Sequence, residues 1–396
     1  MSVTEDRMIE DVATLVRLPA ARAALARYHD RLEAIVEQTI AVQQIAAPTF
    51  AESDRAAYIE ERFGALGLQD VERDEMDNVF GRVPGSLPGA PVVVSAHIDT
   101  VFATEQDLTI NQSDGRVAGP GIADNSLGVA ALLTLAETFG AEELRPQRDI
   151  WFVANVREEG LGDLHGMRAV TERFGAAAAY LVLEGGLFGY ICHEGIGVRR
   201  FRVTVKTPGG HSWGAFGNPS AIHIMGRMIA ALGELELPEQ PKTTYNVGVV
   251  EGGTTVNTIA RRATMLLDLR SAGERELLDL VAKVETLLHS FAGPDVEVTV
   301  ESIGNRPAGR LSQKAPLVRK AIAALRAVGQ PGFELTAGST DANIPLSRGY
   351  PAVCIGITRA ANTHRPDEFM ETAPIPQGIG QALLLLLAVA GIAEAP

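Results

Sequence analysis

Short segments of this chain place a histidine or carboxylate at the end of an apolar run, where a side chain can leave a core and do chemistry. In SAHIDTV, His97 closes the run PVVVSA and Asp99 follows two residues later. Residues two apart on a strand share a face. Asp99 can therefore orient the His97 ring through one nitrogen while the other ligates a metal. A strand-terminal polar pair without metal is the alternative. In GPGIADN, the glycines and proline let the backbone turn sharply, and Asp124 precedes an apolar helical run. Asp124 reads as a metal ligand or as a helix N-cap. Glu158 and Glu159 follow the strand-like DIWFVANV. Adjacent carboxylates repel unless cations hold them, and as neighbours they point different ways. One can bind metal while the other activates a water; a solvated acidic turn is the alternative. Glu184 closes AAYLVLE, and His364 lies in ANTHRPDEF, shortly after PAVCIGITR. Mixed nitrogen and oxygen donors of this kind suit zinc, with manganese or cobalt as substitutes. A carboxylate such as Asp124 can bridge two ions about 3.5–4 Å apart.

Such a set needs strands ending at one edge. Apolar residues recur at helical spacing through RLEAIVEQTIAVQQI and AAYIEERFGALG, and Gly67 then supplies a stop. Buried strands are predicted over 91–99, 149–158, 178–184 and 351–359, and helices over 126–139, 313–328 and 375–393. Strands alternating with helices point to an α/β domain with a largely parallel sheet, whose ligands bind beyond the carboxyl ends of the strands. From Gly195 the pattern changes to βαββαβ, the ferredoxin-like order. The expected organisation is a discontinuous α/β domain, residues 1–194 and 310–396, with an inserted domain over 195–309.

Composition narrows the function. The 396 residues suggest roughly two to three domains, and 46% hydrophobic with 21% charged residues is globular, not disordered. Lys plus Arg is 35 and Asp plus Glu 49, so the net charge is −14, which disfavours nucleic acid as a partner. Cys192 and Cys354 cannot build a disulfide framework. MSVTEDRMIED lacks the basic and apolar parts of a signal peptide. The apolar run Ala382 to Ala393 is too short to cross a bilayer and reads as a buried terminal helix. A soluble, cytoplasmic protein with no membrane partner is expected.

The ordered set SAHIDTV, GPGIADN, REEGLGD, LEGG, GGHS and THRPDE resembles the zinc metallopeptidase family of aminoacylase, carboxypeptidase G, peptidase T, acetylornithine deacetylase and succinyl-diaminopimelate desuccinylase. The resemblance runs from near Ile35 to the last helix. LGDLHGMRAV is most similar to the peptidase-T-like and carboxypeptidase-G-like branches. The resemblance implies a zinc-exopeptidase-type α/β catalytic domain with a mixed, mainly parallel sheet, and an inserted lid that forms a homodimer. It implies two divalent ions, Zn2+ with Mn2+ or Co2+ possible. His97 and Glu184 would hold one, Glu159 and His364 the other, and Asp124 would bridge them. Glu158 would be the general base and Asp99 the partner of His97. A cis peptide bond often follows the bridging aspartate in this family; here the next residue is Asn125, where many members carry a second Asp. His211, in PGGHSWG, would polarise the scissile carbonyl, commonly in the partner subunit's site; a turn histidine bonding its own backbone is the alternative. Asn257 and Arg270 match substrate-contacting positions, although Arg270 could equally form a surface ion pair. AGSTDANIP (337–345) resembles a loop beside the active site, or its polar residues cap the next helix.

The leading reading is metal-dependent hydrolysis of an amide bond in a small peptide or N-acyl amino acid by a metal-activated water. Glu at position 184 goes with carboxypeptidase-like and deacylase members, and Arg270 suits a substrate carboxylate. The alternatives are a deacylase outside peptide metabolism, an aminopeptidase of the peptidase T type, and a catalytically inactive metal-binding homologue. An acidic calcium-binding protein would not need two histidines.

Overall fold

The computed structural model describes residues 12–141 and 144–392. The acidic segment 1–11 and the end of the apolar run at Ala393 lie outside them. The chain forms two compact units, one of residues up to Glu194 together with those from Arg310 onwards, the other Gly195–Gly309.

The larger unit is built on a mixed sheet. Its heart is four parallel strands in the order Ile150–Asn155, Val92–His97, Ala179–Glu184 and Ala352–Gly356. These segments are continuous apolar runs because helices cover both faces. Register aligns their carboxyl ends: His97 lies level with Asn155, and Glu184 with Gly356. Antiparallel strands extend the sheet on both sides, Val79–Val83 and Gln69–Arg73 on one and Tyr190–Gly195 on the other. The strand Gln69–Arg73 is mostly exposed, and its polar sequence gives no buried-strand signal. A small second sheet joins Asn111–Ser113, Arg116–Ala118, Phe369–Glu371 and Ala360–Ala361. It ties the stretch before Asp124 to the stretch around His364, although more than two hundred residues separate them in sequence.

The Leu-rich run falls in the helix Ile375–Ala390, which is buried almost throughout. It packs on the helices Pro316–Ala327, Pro19–Asp30 and Gly128–Ala141. Among the described residues no helix is long and apolar enough to cross a membrane.

The smaller unit carries a four-stranded antiparallel sheet in the order Thr243–Gly252, Arg262–Ser271, Gly197–Lys206, Glu297–Arg306. Numbered along the chain this is 2-3-1-4, with helices Ala221–Gly233 and Glu274–His289 packed on one face against Phe201, Val203, Met265 and Leu267. Polar residues alternate onto the other face, among them Arg200, Arg202, Asp268 and Arg270.

Gly378 marks one of the tightest approaches in the larger unit. A Cβ there would lie 1.9 Å from the Ile357 carbonyl oxygen and 2.5 Å from its carbon. On helix propensity alone, Gly378→Ala would stabilise by about 1 kcal/mol. Backbone cannot give way as a side-chain tip can, so overpacking should win, at about 1–3 kcal/mol net loss. Urea melts of the two proteins check this; an unchanged or raised midpoint would contradict the packing.

Candidate metal centre

Beyond the carboxyl ends of the parallel strands, two histidines and several carboxylates converge. His97, 1% exposed, is the last residue of its strand. Its Nε2 lies 3.2 Å from Asp124 Oδ1 and 3.7 Å from Glu184 Oε2. The other oxygen of Asp124, Oδ2, lies 3.2 Å from His364 Nε2. His364 Nε2 is in turn 3.0 Å from Glu159 Oε1. One carboxylate thus faces two histidines, one through each oxygen. His97, Asp124 and Glu159 each offer a ligand atom, and these atoms all lie within 4.8 Å of one another. The donor set and its crowding fit a divalent cation.

The loops explain how the ligands reach this point. Asp124 lies in an irregular turn, Ile122–Leu127, ahead of the helix Gly128–Ala141. Its carboxylate turns towards the two histidines. The Asp124–Asn125 peptide is cis, as the resemblance implied. Asp99 is wholly buried and accepts from the backbone N–H of Glu158 through Oδ1 and of Glu159 through Oδ2, both at 2.9 Å. Thr49 Oγ1 donates to Oδ2 at 2.9 Å, and the His97 ring lies 3.5 Å from Oδ1. The nearest partner of His97 Nδ1 is the Asp99 carbonyl oxygen, at 3.1 Å. Asp99 therefore links the histidine strand to the Glu158–Glu159 turn as well as orienting His97.

Burial and charge decide how protons are held before any cation arrives. Burial lowers the proton affinity of His97, but hydrogen bonds that its ring donates to Asp124, Asp99 and Glu184 outweigh it and raise the ring well above its usual pKa. Hydrogen bonds to Asp124 and Glu159 push His364 up to about 10. Burial would raise Asp124 too, but His364 and His97 hold it below the carboxylate range. Burial and the Asp124 charge push Glu159 up to about 8. Burial pushes Glu184 up to about 7 against the pull of His97. Glu158 is 5% exposed, and its charge contributes to raising Glu159, Glu184 and Asp341, so it faces the same space.

The remaining predicted residues lie in the smaller unit. His211 sits on a two-residue strand paired with Thr258–Ile259, and the Ser212 N–H donates to the Asn257 carbonyl at 3.0 Å. His211 and Asn257 therefore share one corner. Backbone N–H groups of Trp213 and Gly214 donate to His211 Nδ1 at 3.2 and 3.3 Å. Arg270 is elsewhere. Its Nε donates to Asp268 Oδ1 at 2.7 Å, and Arg200 bonds the same carboxylate.

Three further residues were given no individual role by the sequence, although Glu368 ends the motif THRPDE and Asp341 lies in AGSTDANIP. Glu368 is completely buried and accepts from the backbone of Ala123, Asp124 and His364. It is the last residue of the THRPDE motif, four residues after His364. Asn155 Nδ2 donates to Asp341 Oδ2 at 2.7 Å. Burial and the Glu158 charge raise Asp341 well above its usual pKa. Asp341 belongs to the 337–345 loop, whose backbone is a strand, Glu334–Gly338, leading to a short helix, Asn343–Ser347. Thr340 bonds the N–H of Ala342, while Asp341 points to Asn155.

A model of peptidase family M20/M25/M40 matches residues 93–388. An uncharacterised protein of Bacillus subtilis is 24% identical over 343 residues, 82% of this chain and 90% of its own. Succinyl-diaminopimelate desuccinylase of Nitrosospira multiformis is 24% identical over 372 residues, 87% of this chain and 96% of its own. Among solved structures, a tripeptidase from Staphylococcus aureus matches with a TM-score of 0.78 at 22% identity, over 91% of this chain and 98% of that one.

Raised carboxyls are neutral in the folded chain at pH values where the unfolded chain has lost those protons. Raised histidines gain stability below their unfolded pKa and lose it as pH climbs through the folded value. Both effects run the same way. The metal-free protein should therefore lose thermal stability as pH rises from about 6.5 to 9, the window set by Glu184 at about 7, Glu159 at about 8 and His364 at about 10. A divalent cation replaces those protons and should flatten the profile. Melting curves with and without chelator test it; a metal-free midpoint that is flat or rises across this window would refute the charge assignment.

Proposed function

The chain belongs to peptidase family M20/M25/M40, and we propose that its substrate is a small peptide or an N-acyl amino acid whose leaving amine carries a free α-carboxylate. Metal-dependent hydrolysis of an amide bond in a small substrate is the activity that the His97–Asp124–Glu159 triad and the fold support. The two-sided carboxylate of Asp124 carries the finer reading of two ions. Its Oδ1 faces His97, whose Nε2 also lies near Glu184, and its Oδ2 faces His364, whose Nε2 also lies near Glu159. His97, Asp124 and Glu184 would hold one ion, and Asp124, Glu159 and His364 the other. Zinc suits this nitrogen and oxygen donor set. Divalent ions bound there supply Lewis acidity, which polarises the scissile carbonyl and lowers the pKa of a water towards about 7.

The chain's own groups do the rest. Glu158, fixed through its backbone by Asp99, takes a proton from the attacking water and returns it to the leaving amine. With Nδ1 of His211 occupied as an acceptor, the ring proton sits on Nε2, where it can polarise a carbonyl. Arg270 binds the substrate carboxylate. This role requires Asp268 to share its partner, because the guanidinium is already paired.

Within the smaller unit, Arg270 is far from the His211 corner. Arg262 begins the strand just after the Thr258–Ile259 pairing, and 270 − 262 is eight residues. At about 3.3 Å per residue this is roughly 26 Å, too far for one small substrate to touch both. If both residues serve one site, two copies of the chain must contribute, which supports a homodimer in which one of the two acts in trans, the role that the resemblance gives to His211.

Chelation should abolish hydrolysis of dipeptides and N-acyl amino acids, and Zn2+, Mn2+ or Co2+ should restore it. Glu158→Gln should lower kcat by about 10²–10⁴ with metal content near normal, whereas Glu159→Gln should lose metal. Exchange of these phenotypes would reverse the assignment, and full activity in metal-analysed, chelated protein would remove metal dependence altogether.

The trans arrangement has its own test. Inactive His211→Ala protein mixed with inactive Glu158→Gln protein should regain part of the wild-type rate, because a hybrid dimer holds one complete site. No recovery despite demonstrated subunit exchange would place His211 in cis or outside catalysis.

A further inference from the structure

Two buried side chains grip the backbone around the ligands without facing the ligand cluster themselves. Asn125, 1% exposed, reaches across to the segment that carries Glu184. Its Nδ2 donates to the Leu183 carbonyl at 2.9 Å, and its Oδ1 accepts from the Gly185 N–H at 2.8 Å. These groups flank Glu184 on either side. One amide side chain thus meets one acceptor and one donor at once. The space is built for it. A Cβ on Gly128 would lie 2.0 Å from Asn125 Oδ1, and a Cβ on Gly185 would lie 1.9 Å from the Ala123 carbonyl oxygen. Both glycines let the two segments close on the amide.

Glu368 does the same work on the other side. Its Oε1 accepts from the N–H groups of Ala123 and Asp124, each at 2.8 Å, and its Oε2 accepts from the His364 N–H at 3.3 Å. His364 has φ +67°, a conformation uncommon for a side chain of this size, and the Glu368 bond helps to hold it.

We propose that Asn125 and Glu368 are positioning residues, each setting a different part of the ligand cluster: Asn125 fixes Glu184, and Glu368 fixes Asp124 together with His364. This inference rests on the reading of two ions given above. Groups that orient ligands are commonly worth 10–100-fold in metal affinity, so each clamp should be worth that much to the ion on its own side. Asn125→Asp keeps the size and the acceptor for Gly185 but loses the donor to Leu183 and sets a carboxylate oxygen against that carbonyl. Glu368→Gln keeps an acceptor for the Ala123 and Asp124 amides but turns an NH2 towards the His364 N–H.

The test is a competition titration of metal-stripped protein with Zn2+ against a chelating dye, read as stepwise affinities, with the metal-free melting midpoint measured in parallel. Wild type should take up two ions. Asn125→Asp should weaken one step by about 10–100-fold; Glu368→Gln should weaken the other by as much and, through the shared Asp124, the first to a smaller extent, and neither loss should be accounted for by a fall in the metal-free midpoint. The double variant should lose both. Gly128→Ala, which crowds the Asn125 amide without removing it, should weaken the same step as Asn125→Asp and serves if that variant does not fold. If wild type binds no ion, the metal reading falls, and this inference with it. If wild type binds two and the variants bind as tightly, or lose affinity only in proportion to a lowered metal-free midpoint, the residues are merely structural and the inference is overturned. Equal weakening of both steps in both single variants would also overturn it.

Discussion

Asp99, Asp124, Glu158, Glu159, Glu184, Asp341 and Glu368 crowd one region of the larger unit, and their mutual repulsion sets the terms on which it folds. A like-charged pair 4 Å apart costs about 4 kcal/mol at the effective dielectric of a protein surface. Net stability is only about 5–15 kcal/mol, so such pairs cannot be left uncompensated. The fold answers in three ways. Protons are held on Glu159 and Glu184 to about pH 8 and 7, and Asp341 is kept neutral by burial. His97 and His364 are kept charged by the carboxylates they face. Asp99 and Glu368 spend their oxygens on backbone N–H groups. A divalent cation can take the place of the first two devices, and the third remains to aim the ligands at it.

The parallel sheet makes this gathering possible. Parallel strands release their loops at a common edge, so segments far apart in sequence arrive together, His97 from one strand end and Glu184 from its neighbour. His364 has no strand to aim it and stands half-exposed on a loop. Its position depends on the small sheet, in which Phe369 pairs with Ala118 and Met370 with Val117, and on Glu368. Where the scaffold is rigid the ligands need little help, and where it is loop the chain adds ties.

Legibility in sequence followed the same division. His97, Glu184 and the Glu158–Glu159 pair were readable because each ends or follows an apolar strand, and burial of the strand makes a polar terminus conspicuous. Asp124 was open between ligand and helix cap until the structure showed the carboxylate turned to two histidines. Asn125 and Glu368 stand inside the motifs GPGIADN and THRPDE, but what they hold was not readable, because their partners are backbone groups, which leave no pattern of residue types. The polar edge strand Gln69–Arg73 was missed for a related reason: a strand exposed on its outer side loses the apolar run that marks a central one. Arg270 matched by position in a motif, yet its pairing with Asp268 is a three-dimensional fact that spacing does not carry.

The corner that holds His211 illustrates how a loop histidine becomes a prepared donor. Gly209 and Gly210 have φ of +67° and +142°, so the turn before the histidine follows a path that other residues resist. A Cβ on Gly209 would lie 2.9 Å from the Ile259 carbonyl oxygen, and one on Gly210 2.5 Å from the Ala215 side chain. The turn is therefore tight as well as unusual. It delivers two consecutive N–H groups, from Trp213 and Gly214, to Nδ1. An imidazole nitrogen that accepts cannot also carry the proton, so the tautomer is settled by backbone geometry. Of the two alternatives posed by the sequence, the structure shows the turn histidine, and the bond does not conflict with the proposed role. The ring does bond its own turn, and that bond is what leaves Nε2–H as its outward donor.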